Sequence, residues 1–157
     1  MQNLKLNLGA GNYILKDYHN IDIRYLSGLT LVADVKNLPY LPNTVDEILA
    51  LDIYEHVSYH NSKSLLKYWI SLLKSGGKLV IQAPCLDNII SYFMNVRTLQ
   101  DIEVGIAVIF GGQDYKENIH FTVAQSKLME SYLRKAGITK EIVCSNNGTN
   151  RVWKCIK

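Results

Sequence analysis

Paired cysteines are missing from this sequence: Cys85, Cys144 and Cys155 are odd in number and far apart. That excludes a disulfide framework and a paired zinc motif, and predicts free thiols in a reducing, cytoplasmic setting. Long hydrophobic runs are missing too, since none approaches the ~18 residues that span a bilayer. The N-terminal stretch MQNLKLNLGAG has no basic leader ahead of an apolar block, so no signal peptide is expected. Charge of one sign is not in excess. The formal net charge is +3, and lysines and arginines stand singly except for Arg134-Lys135. A nucleic-acid surface needs a clustered basic stripe, so neither nucleic acid nor membrane is an expected partner. Repeats, low-complexity tracts and linkers are absent as well. With 157 residues, 48% of them hydrophobic, one domain spanning 1–157 is expected around one core.

What is present is an alternation of short apolar strands with helical periods. Leu4 to Leu8 alternates and meets Gly9-Ala10-Gly11, which predicts a strand running into a tight turn. Asn20–Ile23, Leu29–Ala33, Val45–Ala50 and Lys78–Ala83 predict four more strands, and Lys140–Cys144 with Arg151–Ile156 flank Asn146-Asn147-Gly148 as a terminal hairpin. One helix is expected between Ser62 and the Gly76 stop, with Leu65, Leu66, Trp69, Ile70 and Leu73 inward. A second opens at Thr98 with Ile102, Ile106 and Ile109 inward. A third opens with a Thr122–Gln125 capping box and buries Leu128, Met129, Tyr132 and Leu133. The fold class is therefore α/β: a mostly parallel sheet, helices on both faces, an antiparallel C-terminal hairpin. Ten residues separate Gly11 from Asp22, too few for a full helical crossover, so the first helix is expected to shrink to a turn or irregular loop.

In such a sheet, ligands bind at the carboxyl ends of the strands. Gly9-x-Gly11 follows the first strand, but position 14 is Ile and there is no GKS/T. The loop lacks the third glycine of a dinucleotide fingerprint and the signature of a phosphate loop, which predicts a ligand without phosphates. Asp22 ends strand two, where a carboxylate accepts both hydroxyls of a ribose. Asp34 ends strand three, placed to accept from an adenine amino group beside the Val35 backbone N–H.

Leu6-Asn7-Leu8-Gly9-Ala10-Gly11, Asp22, Ala33-Asp34-Val35 with Leu38-Pro39-Tyr40, Tyr54-Glu55-His56-Val57 and Leu73 to Leu79 resemble, in order, the motifs of the class I S-adenosylmethionine-dependent methyltransferases. The small type 11-like members are the most similar. The tail from His120-Phe121-Thr122 to Gly137-Ile138 also resembles them. The resemblance implies a seven-stranded Rossmann-like sheet, S-adenosylmethionine as cofactor and a small-molecule methyl acceptor. It implies Gly9, Ala10 and Gly11 as the methionine-side loop, Asp22 as ribose acceptor, Asp34 and Val35 as adenine contacts, and Leu51 and Asp52 beside the sulfonium.

Methyl transfer from a sulfonium needs orientation and exclusion of water, and a base only where the acceptor must lose a proton. On a helix, Asp52, Glu55 and His56 would share one face, with His120 folding back over them. His120, Glu55 and His56 are the expected catalytic residues, and no metal is expected. Asp52, Glu55, His56 and His120 also resemble the metal ligands of small-RNA 2′-O-methyltransferases and some quinone-pathway O-methyltransferases, the alternative in which they bind a divalent ion. Two further alternatives are a partner-dependent or degenerate methyltransferase subunit and an NAD-dependent oxidoreductase; the missing third glycine opposes the last. Residues 86–119, with Tyr92, Phe93, Tyr115 and Gly111-Gly112, form an insert expected to serve as lid or acceptor wall.

Overall fold

A computed structural model describes residues 3–157. Seven strands form one sheet: β1 (Lys5–Leu8), β2 (His19–Asp22), β3 (Leu31–Val32), β4 (Val45–Leu51), β5 (Leu73–Pro84), β6 (Ile142–Asn147) and β7 (Asn150–Ile156). Their order is β3-β2-β1-β4-β5-β7-β6, and β7 alone runs antiparallel to its neighbours. The register aligns rows across the sheet. Leu6, Ile48, Leu79 and Cys155 form one row, and Leu8, Ala50, Ile81 and Trp153 the next on the same face. These residues are fully buried or nearly so. Two-residue periodicity thus sends one apolar set per strand to a single core.

That core is closed by α1 (Tyr59–Leu72) and α4 (Ser126–Lys135), which pack on each other. Ser62, Leu65, Leu66, Trp69 and Ile70 lie at helical spacing on the buried stripe of α1. The Trp69 indole N–H donates to the Val35 carbonyl at 3.0 Å, tying the helix to the β3–β4 connection. The helix begins before Ser62 and ends before Gly76. Leu73 is already extended, pairs with Val45 and starts β5, so Gly76 with φ +79° lies inside a strand.

Helices α1 and α4 cover the face of the Leu6 and Leu8 rows. Crossovers β1→β2→β3 step in the opposite direction to β4→β5, so the right-handed rule sends them to opposite faces. Residues 9–18 and 23–30 hold no helix. The second face shows Lys5, Glu47, Leu49, Lys78, Val80 and Lys154, none of them buried. Asn7 and Asn20 pin the short loop there. Asn7 Nδ2 donates to Tyr13 O and Asn20 Oδ1, and Asn20 binds both backbone groups of Leu15. The loop is irregular, as its length predicts.

Residues 86–119 contain two helices, α2 (Leu86–Asn95) and α3 (Leu99–Phe110). Only α3 was signalled in sequence, by the Thr98–Asp101 capping box that the structure shows in full. Its isoleucines are not its inner face: Ile102 and Ile106 are exposed, and Gly105 is the buried residue, against the Phe93 ring. The absent side chain lets α2 and α3 approach closely. For α4, Gln125 rather than Thr122 is the cap, its side chain accepting from Leu128 N at 2.9 Å. Ala124 bridges to Cys85 in extended form, which delays the helix. Met129 and Leu133 are buried there, Tyr132 packs partly against the core, and Leu128 is exposed. The hairpin turn is Gly148-Thr149, with Gly148 at φ +61°. All three cysteines are free. Among the described residues no helix is long and apolar enough to cross a membrane.

Candidate functional site

Beyond the carboxyl ends of β1, β2 and β4 lies a cavity of about 490 Å³, a size typical of small-molecule and cofactor sites. Gly9, Gly11, Asp22, Asp34, Val35, Leu51 and Asp52 all line it; Ala10 faces a smaller adjoining recess with Gly9, Leu51 and Asp52. The structure therefore brings together every residue singled out at the strand ends. Gly9 is required by its surroundings: it has φ +66°, and a Cβ there would stand 2.7 Å from Ile53 Cγ1. The chain consequently presents bare backbone to the cavity.

Asp22 is buried and fully engaged. Its Oδ2 accepts from Gly11 N at 2.8 Å, its Oδ1 from Arg24 N at 2.9 Å, and the Arg24 guanidinium spans both oxygens. Burial alone would raise the carboxyl pKa, but these bonds from Arg24 and Gly11 hold it below its ordinary value. Arg24 also lies over the Tyr115 ring at 4.6 Å, linking β2 to the segment after α3. A diol approaching Asp22 therefore displaces the Arg24 side chain. Sequence reasoning did not select Arg24, although an arginine two residues after a strand-end aspartate projects to the same side. Asp34 is half-exposed, accepting from Lys36 N and paired with Lys36 Nζ at 3.1 Å.

On the other side His56 and Phe121 line the cavity, from the 3₁₀ turn Tyr54–His56 and from residues 119–122 laid across it, while Glu55 and His120 are not among the lining residues. Phe121 N donates to Glu55 O at 2.8 Å, and Phe121 itself lines the cavity. The rings of His56 and His120 meet edge to face at 4.9 Å. One ligand atom from each of Glu55, His56 and His120 lies within 4.8 Å of the others. His120 Nδ1 faces Val108 O at 2.9 Å, and His56 Nδ1 faces Ile119 O at 3.1 Å. A carbonyl only accepts, so each Nδ1 carries a proton. Burial lowers the His120 pKa, which favours the neutral ring. Glu55 is 1% exposed, and burial, helped by the charge of Asp52, raises its pKa to about 8. Its Oε2 has no hydrogen-bond partner.

Asp52 does not share a helical face with Glu55 and His56. It stands at φ +51° between β4 and the 3₁₀ turn. Its carboxylate accepts from Gln82 Nε2 at 2.8 Å and Asn150 Nδ2 at 2.6 Å. Burial nevertheless raises its pKa, against those bonds and the neighbouring imidazoles of His120 and His56.

No family model and no curated protein matches the sequence. Solved structures do match. A SAM-dependent methyltransferase of Thermotoga maritima is 14% identical with a TM-score of 0.66, over 100% of this chain and 83% of its own. The Burkholderia thailandensis 1,6-didemethyltoxoflavin-N1-methyltransferase, solved with 1,6-didemethyltoxoflavin and S-adenosylhomocysteine, is 13% identical with a TM-score of 0.61, over 98% and 70%. A chain from the Haloferax volcanii complex of the Trm112 methyltransferase activator with a methyltransferase is 12% identical with a TM-score of 0.63, over 99% and 82%. At such identities likeness speaks for architecture, and in architecture this chain has the fold of the class I S-adenosylmethionine-dependent methyltransferases.

Proposed function

We propose that the chain binds S-adenosylmethionine and transfers its methyl group to a small-molecule acceptor, in a reducing compartment such as the cytoplasm. The observation that carries this is the convergence of Gly9, Gly11, Asp22, Asp34, Val35, Leu51 and Asp52 on one cavity at the strand ends. The residues fit the cofactor: bare backbone at Gly9–Gly11 suits the methionine side, Asp22 the ribose, and Asp34 with Val35 the adenine. The bound cofactor supplies a methyl group already activated as a sulfonium.

The protein's own part is positional. Leu51, Ile53 and Val57 give the sulfonium end an apolar wall, and Tyr115, Lys116 and Glu117, from the segment after α3, close over the cavity as a lid. Arg24 leaves Asp22 as a ribose arrives. On the acceptor side His120, as a neutral imidazole, takes a proton or orients the acceptor, with Glu55 and His56 beside it. His120→Ala should leave S-adenosylhomocysteine affinity within about twofold and abolish transfer, measured by calorimetry and by methyl transfer to a panel of hydroxyl and amine acceptors. Joint loss of affinity and thermal stability would make His120 a structural residue instead.

A further inference from the structure

Glu55 Oε2 is the least explained polar atom of the site: buried, in a residue 1% exposed, and without a hydrogen-bond partner. A carboxylate oxygen left alone in an apolar interior is costly, and native structures give such groups a counterpart. Two imidazoles converge on the Glu55 carboxyl group. His56 and His120 bring their ligand atoms to within 4.8 Å of the carboxylate and of each other. Both rings are oriented from behind, each Nδ1 hydrogen-bonded to a backbone carbonyl, of Ile119 and Val108 respectively. Metal-binding histidines are fixed in this way: the distal N–H is held by a carbonyl or carboxylate, which sets the tautomer and turns the free nitrogen toward the ion.

We propose that Glu55, His56 and His120 bind one divalent transition-metal ion through one carboxylate oxygen and two imidazole nitrogens. Asp52 stands outside the converging set and is turned to Gln82 and Asn150; it contributes negative charge nearby. The fourfold set suggested by sequence resemblance is thus reduced to three, which leaves coordination positions open. Bonds of about 2.0–2.2 Å place ligand atoms ~3–3.5 Å apart, so roughly an ångström of side-chain movement closes the set. Two nitrogens and one oxygen favour zinc, cobalt, iron or manganese over calcium, which takes oxygen donors throughout. His56 lines the cavity, which puts the set next to the acceptor side. Resting on the methyl-transfer reading, this points to an acceptor that reacts through a hydroxyl oxygen, which a divalent cation polarises.

The test is titration of the full chain with Co²⁺ alone, followed by visible absorption, beside a separate calorimetric titration with S-adenosylhomocysteine. The expected result is one saturable equivalent of Co²⁺ and a raised melting temperature. Affinity should fall by at least tenfold in Glu55→Gln and in His120→Ala, and stay unchanged in His19→Ala and His60→Ala, histidines outside the cluster. Glu55→Gln keeps the side chain's shape, and thermal melts report that it folds. Absence of saturable Co²⁺ binding, or wild-type binding in folded Glu55→Gln, overturns the metal site. Co²⁺ binding without S-adenosylhomocysteine binding upholds the site and refutes the methyl-transfer reading; the reverse pattern does the opposite.

Discussion

At Asp22, one carboxylate holds four donors from Gly11 and Arg24 in the cleft where a ribose would sit. Asp22→Ala is expected to weaken S-adenosylhomocysteine binding by about 1.5–3 kcal/mol, the cost of removing a charged acceptor. Arg24→Ala should bind at least as tightly as wild type, since it removes the competitor; calorimetry on both variants checks the pair. Glu55 carries a pH prediction. Its carboxyl holds a proton to about 8 in the folded chain against 4.5 in the unfolded one, so between those values the folded state binds the extra proton. Stability is therefore full below 4.5 and declines as pH rises through about 8. Glu55→Gln lacks this decline. With EDTA present, its melting temperature should exceed wild type by more at pH 9 than at pH 5, and a pH-independent difference would contradict the burial argument. Gly9, Gly11, Asp22 and Asp34 were legible because strand-end position and residue type alone define them. The Arg24 clamp, the left-handed Asp52 and the orphaned Glu55 oxygen were not, since they depend on side-chain geometry and on segments sixty residues apart.

Among the elements, strands and α1 were readable because each has one solvent and one core side, and burial follows the period. Trp69 shows how much one position carries: it fills the core and binds Val35 O across to the β3–β4 connection. Trp69→Ala should cost about 3–5 kcal/mol in urea denaturation, a large share of a domain's stability. The insert was harder. In α3 apolar residues occur all round the helix, so periodicity pointed to the isoleucines while the close packing with α2 selected Gly105. At Thr122 the capping pattern was met by a chain still bridged to Cys85, and tertiary pairing overrode the local signal.

The whole molecule is a seven-stranded sheet whose helical cover is concentrated on one face. The seven-stranded sheet was implied by the family resemblance, and the missing first helix by the ten residues between Gly11 and Asp22. On β5, Lys78-Leu79-Val80-Ile81-Gln82 alternates, with Leu79 and Ile81 buried and Lys78 and Val80 not. Such alternation marks a strand with one buried side, since strands buried twice read as continuous apolar runs. The central claim is that the strand-end cavity holds S-adenosylmethionine. Thermal denaturation with millimolar S-adenosylhomocysteine, NAD or ATP tests it most directly. A rise in melting temperature with S-adenosylhomocysteine alone is the predicted result. No shift with S-adenosylhomocysteine in folded protein, or an equal shift with NAD, would contradict it.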